Sequence, residues 1–179
     1  MFKPRLSKKR LRVFILIFSL VLGISAFIFG KQIKNLQDFG YLGVFIANLV
    51  GSATIFLPVP GLATTVAVGA FLDPILTGVF SAVGSTMGEL TGYYAGVGGG
   101  EFIKKDKNIE KVKKWMKAGG LWVVFGLAVL PNPLFDLTGV ISGASGISVW
   151  RYMVAVFSGK LIKFITLSYA GFGILKIFQ

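Results

Sequence analysis

Between Tyr41 and Leu72 the chain runs for 32 residues without a charge, and Pro58, Pro60 and Gly61 fall in the middle of that run. About 20 apolar residues cross the roughly 30 Å hydrocarbon core of a bilayer, so the stretch spans a membrane with residues to spare. Proline, however, removes an amide donor and clashes with the preceding turn, which argues against one straight helix. Non-helical backbone at membrane depth persists only where protein or a water-lined cavity satisfies its polar groups. The segment therefore reads as a re-entrant hairpin, two half-helices meeting at Leu57-Pro58-Val59-Pro60.

Composition agrees with a membrane setting. Of the 179 residues 54% are hydrophobic and 15% charged, against roughly 45–50% and 25% in soluble domains, and the length suits one domain. Cysteine and histidine are absent. That removes thiol nucleophiles, disulfides, a histidine base and cysteine or histidine metal sites. No paired acids or nucleophile and base are evident, so neither enzyme chemistry nor a cofactor or metal is expected. The net charge of +12 is concentrated in two segments: Lys3, Arg5, Lys8, Lys9, Arg10 and Arg12 near the start, and seven lysines from Lys104 to Lys117. Both flank apolar stretches, as cytoplasmic loops do. Neither carries the interleaved aromatics of a nucleic-acid stacking platform, so nucleic acid is not an expected partner. A second role for these basic segments would be to gather anionic lipid, at about 1 kcal/mol per basic residue near the leaflet.

Residues 1–12 form a basic cytoplasmic terminus, and 13–30 (VFILIFSLVLGISAFIFG) a first transmembrane helix. A membrane domain at 41–178 comprises a first repeat at 41–98, an amphipathic basic linker at 101–118 and a second repeat at 120–178. Asp73-Pro74 restarts the chain after the first hairpin, with Pro74 suited to the first position of a helix, and 75–98 forms the next span. In the linker Ile109, Val112 and Met116 share one side at helical period, which predicts a helix lying on the membrane surface. Leu121 to Leu130 stops at Pro131-Asn132-Pro133, and the chain then continues apolar to Ser145 except for Asp136. This is a second broken hairpin. Val149 to Phe178 supplies the last span.

The halves can be superposed in sequence. LPVP at 57–60 matches LPNP at 130–133, and Val66, Gly69 and Ala70 match Val140, Gly143 and Ala144. Gly88-Glu89 fall opposite Gly159-Lys160, and Tyr94-Ala95-Gly96 opposite Tyr169-Ala170-Gly171. With a cytoplasmic N-terminus and one preceding helix, the hairpins enter from opposite sides. The expected fold is an all-α integral membrane protein: an inverted repeat of two re-entrant helical hairpins, each followed by a transmembrane helix, plus one N-terminal transmembrane helix. Opposed discontinuous helices are the plan of transporters.

Gly84, Gly88, Gly92 and Gly96 recur at every fourth position, a ridge that permits close helix packing. Beside it Glu89 lies near the middle of its span, where an ionisable residue is by default functional. Lys160 lies at similar depth, and an ion pair between the two is expected. The alternative is a local bond from Glu89 to Tyr93, one turn on, while Lys160 snorkels. Asp136 is read as a cap of the second half-helix or as a cargo contact, and Asn132 as a partner for freed backbone groups. Pro58, Pro60, Pro131 and Pro133 at the two tips, with Asn132, Asp136, Glu89 and Lys160, line the expected polar seam.

The strings PNPLFDLTGVISG at 131–143 and GELTGYYAG at 88–96 resemble the VTT-domain, or DedA, superfamily, also called SNARE-associated Golgi proteins, and in particular its vacuole-membrane-protein branch. The resemblance covers about residues 40 to 178. It implies two opposed re-entrant hairpins and movement of lipid between leaflets, by phospholipid scrambling or, in bacterial members, carriage of undecaprenyl phosphate. Proton-coupled members carry membrane-embedded acids near the first hairpin and arginines near the second. This chain departs from that pattern, with no acid from Tyr41 to Leu72 and no arginine from Leu121 to Trp150. The leading expectation is therefore passive phospholipid scrambling in a prokaryotic inner membrane, with membrane phospholipids as partners and a homo-oligomer left open. Ion-coupled transport of a small solute or polyprenyl phosphate, and a non-transporting membrane assembly scaffold, are the alternatives.

Overall fold

The computed structural model describes residues 37–53, 59–99, 107–131 and 134–177. Every regular element among them is a helix: α1 (Gln37–Ala53), α2 (Val59–Phe71), α3 (Pro74–Gly88), α4 (Leu90–Gly99), α5 (Lys107–Gly119), α6 (Leu121–Val129), α7 (Phe135–Ala144) and α8 (Val149–Ile177). The expected N-terminal helix at 13–30 lies outside the described residues, as do Pro58, Asn132 and Pro133.

Both apolar runs are divided where their prolines stand. α1 gives way to α2 around LPVP, and α6 to α7 around LPNP. Pro74 occupies the first turn of α3, and the Asp73 carboxylate accepts the Leu76 N–H at 2.8 Å, capping that helix. The expected 75–98 span is divided by a turn at Glu89 into α3 and α4. The backbone ladder nonetheless carries through, since the Glu89 N–H donates to Ser85 O at 3.3 Å and the Tyr93 N–H to Glu89 O at 3.1 Å. Glycines with positive φ make two sharp connections. Gly120 (φ 54°) joins α5 to α6, and Gly146 (φ 69°) ends α7, where Ile147 N–H donates back to Ser142 O at 3.1 Å in a Schellman-type closure.

The contacts run in matched pairs. α1 packs on α3 as α6 packs on α8, and α2 packs on α8 as α7 packs on α4, with α3 crossing α8 between them. Glycines permit these approaches. A Cβ on Gly96 would collide with the Val140 carbonyl, and one on Gly171 with that of Val66. A Cβ on Gly88 would lie 2.5 Å from Leu49 O, and one on Gly159 2.6 Å from Phe125 O. These are the residues that the sequence repeat matches. The glycine ridge serves two partners rather than one: Gly84 and Gly88 meet α1, and Gly96 meets α7, while Gly92 has only ordinary contact, 3.9 Å from Asp136 O.

The α5 helix departs from expectation in what its apolar side covers. Val112 and Met116 join a buried cluster with Val124, Phe135, Ile141 and Tyr152, because α6 and α7 lie against that face. α8 is the one helix among the described residues long and apolar enough to cross a membrane unaided, at about 43 Å for its 29 residues and 1.5 Å rise. Large apolar side chains such as Ile46, Val50, Phe80, Val154 and Ile162 face outward, while Asn48, Thr65, Ser81, Ser85, Glu89 and Lys160 are buried. Polar inside and apolar outside is the arrangement that lipid rather than water selects.

Candidate functional site

The site is assembled where α3 crosses α8, beside α1, α2 and α7. Gly88, pressed against the end of α1, and Gly159, pressed against the end of α6, place the next residue, Glu89 or Lys160, at the crossing. Lys160 Nζ lies 2.7 Å from Glu89 Oε1, and their side chains are only 2% and 5% exposed. The ammonium also donates to Ser85 Oγ at 2.6 Å and Ser85 O at 3.1 Å, with Ser52 Oγ 3.4 Å and the Phe135 ring 5.0 Å away. Four oxygens, from α1, α3 and the Glu89 turn, thus surround one cation from α8. A buried charge is tolerable when it is paired and its remaining donors are bonded. The alternative local arrangement does not form: Tyr93 Oη donates to Ile147 O at 2.5 Å, and Lys160 does not reach the surface.

Beside this pair runs a chain of neutral bonds. Asn48 Nδ2 donates to Val44 O at 2.8 Å and to Thr65 Oγ1 at 3.1 Å, Thr65 Oγ1 lies 2.9 Å from Ser81 Oγ, and Ser52 Oγ lies 2.6 Å from Ser85 Oγ. Gly61 is required here, since a Cβ would stand 2.5 Å from Asn48 Oδ1. The sequence reading missed Asn48, Ser52, Thr65, Ser81 and Ser85. A signal for them exists: Thr77, Ser81, Ser85 and Glu89 fall at i, i+4 spacing, one face of a helix.

Among α1, α2, α3, α7 and α8 lies a cavity of about 210 Å³, room for on the order of ten waters. Asn48 and Ser52 line it from α1, Gly61 and Leu62 from α2, and Ser85 and Glu89 from α3. Pro131 lines it from the segment after α6, Phe135 and Asp136 from α7, and Lys160, Lys163 and Phe164 from α8. Of the expected seam residues the structure thus brings together Glu89, Lys160, Asp136 and Pro131. Pro60 falls in the first turn of α2 next to Gly61. The capping role read for Asp136 is corrected. Helix α7 begins at Phe135 with Leu134 at the N-cap and no side-chain cap bond, so Asp136 sits two residues into the helix and lines the cavity instead. Lys163 is a further cavity cation, with its Nζ 5.2 Å from the Phe164 ring. No group of three or more potential metal ligands occurs among the described residues.

A family model described as the VTT domain matches residues 59–173. Vacuole membrane protein KMS1 of Arabidopsis thaliana is 37% identical over 59 residues, covering 31% of this chain and 14% of that protein. Vacuole membrane protein KMS2 of the same plant is 28% identical over 110 residues, covering 51% of this chain and 26% of that protein. The chain therefore corresponds to a minor part of either relative's length. No solved structure matches it.

Proposed function

The chain belongs to the VTT domain family of membrane proteins, and from that premise we propose that it moves phospholipid passively between leaflets. The observation that carries this reading is the cavity: polar and charged side chains from both hairpins meet in the interior of a body whose outside is apolar. A headgroup crossing a bare bilayer loses its hydration with nothing in exchange. Here Glu89, Lys160, Asp136, Lys163 and the serines of α1 and α3 would replace that water while the acyl chains stay in the surrounding lipid. The lack of an acid from Tyr41 to Leu72 and of an arginine from Leu121 to Trp150 favours downhill scrambling over proton-coupled exchange.

The test is bleaching by dithionite of liposomes that carry an acyl-labelled fluorescent phospholipid, with wild type, Glu89→Gln and empty vesicles compared. Wild type is expected to lose fluorescence beyond the outer-leaflet half. Glu89→Gln should scramble at least about tenfold more slowly, because a charge-assisted contact contributes about 1.5–3 kcal/mol and 1.36 kcal/mol of barrier is a factor of ten. Wild type indistinguishable from empty vesicles would overturn the reading.

A further inference from the structure

Lys160 and Glu89 satisfy one another, and this leaves the cavity with one more cation and one more anion. Lys163 and Asp136 both line it, and neither has an ion pair within 4.0 Å or a side-chain hydrogen bond among the described residues; Lys163 instead stands over the Phe135 and Phe164 rings at 5.8 and 5.2 Å. Next to the cavity, an apolar groove of about 420 Å³ runs between α2 and α8. Ala63, Ala67 and Ala70 form one wall, Gly171 and Ile174 the other, and Leu62 lines both groove and cavity. The groove exists because small residues face it and because Gly171 lets α8 lie directly on the Val66 carbonyl.

We propose that these two spaces form one binding site for a zwitterionic phospholipid, the phosphate against Lys163, the ammonium group against Asp136, and an acyl chain past Leu62 into the α2–α8 groove. This rests on the lipid reading of the same cavity and adds the headgroup class to it. Charge complementarity decides the class. A phosphate that carries an ammonium matches one cation and one anion that face the cavity without a direct ion-pair partner among the described residues, whereas a headgroup with net negative charge leaves Asp136 facing a like charge, which binding disfavours. The groove decides the source, since a water-soluble phosphate ester without chains would leave it unfilled.

The test is a native mass spectrometry titration of the detergent-purified protein with dioleoylphosphatidylcholine, dioleoylphosphatidylglycerol and chain-free glycerophosphocholine. Wild type is expected to hold phosphatidylcholine about tenfold more tightly than phosphatidylglycerol, the scale of one charge-assisted contact, and to bind glycerophosphocholine weakly. Asp136→Asn should level or reverse that preference, Asp136→Glu should retain it, and Lys163→Gln should weaken both lipids. Ala67→Phe should fill the groove and weaken both lipids without changing their ratio. Equal binding of the two lipids by wild type, or a ratio unmoved by Asp136→Asn while Asp136→Glu is also neutral, would overturn the inference. Tight binding of glycerophosphocholine would overturn the groove's part in it. The scrambling assay separates the two ideas: the expected binding preference without leaflet exchange removes the transport reading and leaves the site, and exchange with equal binding does the reverse.

Discussion

Replacing Lys160 with Met while Glu89 stays in place is expected to cost about 3–5 kcal/mol, the range for removing one partner of a buried ion pair. The structure explains why the loss falls there rather than near the 0–1 kcal/mol of surface pairs. Both side chains are almost fully buried, Nζ approaches Oε1 to 2.7 Å, and the same ammonium bonds Ser85 through both its Oγ and its carbonyl. Methionine would leave Glu89 charged, desolvated and facing a thioether. Glu89→Gln is milder, about 2 kcal/mol, since an amide oxygen still accepts from Lys160 and Ser85 keeps its bonds. The double variant should cost less than the sum of the two, with a coupling of at least about 1 kcal/mol. Thermal unfolding in detergent micelles reads this directly. For a chain of this size each kcal/mol corresponds to about 2–4 °C in Tm, so Lys160→Met should melt at least about 6 °C lower than wild type. Strictly additive losses in the two single variants would refute the pair as a structural element.

Two further outcomes follow from the same geometry. Gly96→Ala and Gly171→Ala, whose new methyl groups would meet the Val140 and Val66 carbonyls, should each destabilise by about 1–3 kcal/mol; Gly126→Ala, with nothing within 4 Å of the added atom, should be neutral or raise Tm slightly through helix propensity, and equal effects at all three would contradict the packing argument. Asp73→Ala should lose about 1 kcal/mol in the same melting assay by removing the cap on Leu76, whereas Asp73→Asn or Asp73→Ser should retain most of it.

The features legible in the sequence were those that act through one residue type. Proline divides both apolar runs because it lacks an N–H, Asp73-Pro74 starts a helix because each residue suits its terminal position, and isolated charges at similar depth predict a pair. The linker's apolar side was also legible, but whether Val112 and Met116 cover lipid or protein depends on α6 and α7 folding back over them, which periodicity alone does not contain. The capping reading of Asp136, but not its place in the polar seam, went astray by the helix start: chemistry suggested a cap after Pro133, yet the chain turns helical at Phe135 and carries the carboxylate past the capping position. Serine and threonine were hidden for another reason. Small hydroxyls are common in membrane helices, where they bond their own backbone, as Ser81 Oγ does to Thr77 O at 2.7 Å, and only the four-residue spacing on α3 marks Ser81 and Ser85 as a face directed at Asn48, Ser52 and Thr65.

The pair at the crossing also explains where the two halves must differ. Gly88 and Gly159 make equivalent contacts, with Leu49 O and Ala53 N in one case and Phe125 O and Val129 N in the other, so Glu89 and Lys160 occupy matching places and meet each other. A repeat that kept the same charged residue in both places would set like charges face to face at hydrogen-bonding distance inside a low-dielectric body, and like charges so placed repel strongly. Opposite charges at that contact resolve the conflict, and the sequence diverges there while the adjoining glycines stay the same. A second asymmetry accompanies it: eight residues separate Gly88 from Gly96, but twelve separate Gly159 from Gly171, about one helical turn more. Lys163, three residues beyond Lys160 on the same side of α8, lies within this longer interval and adds a second cation to the cavity lining.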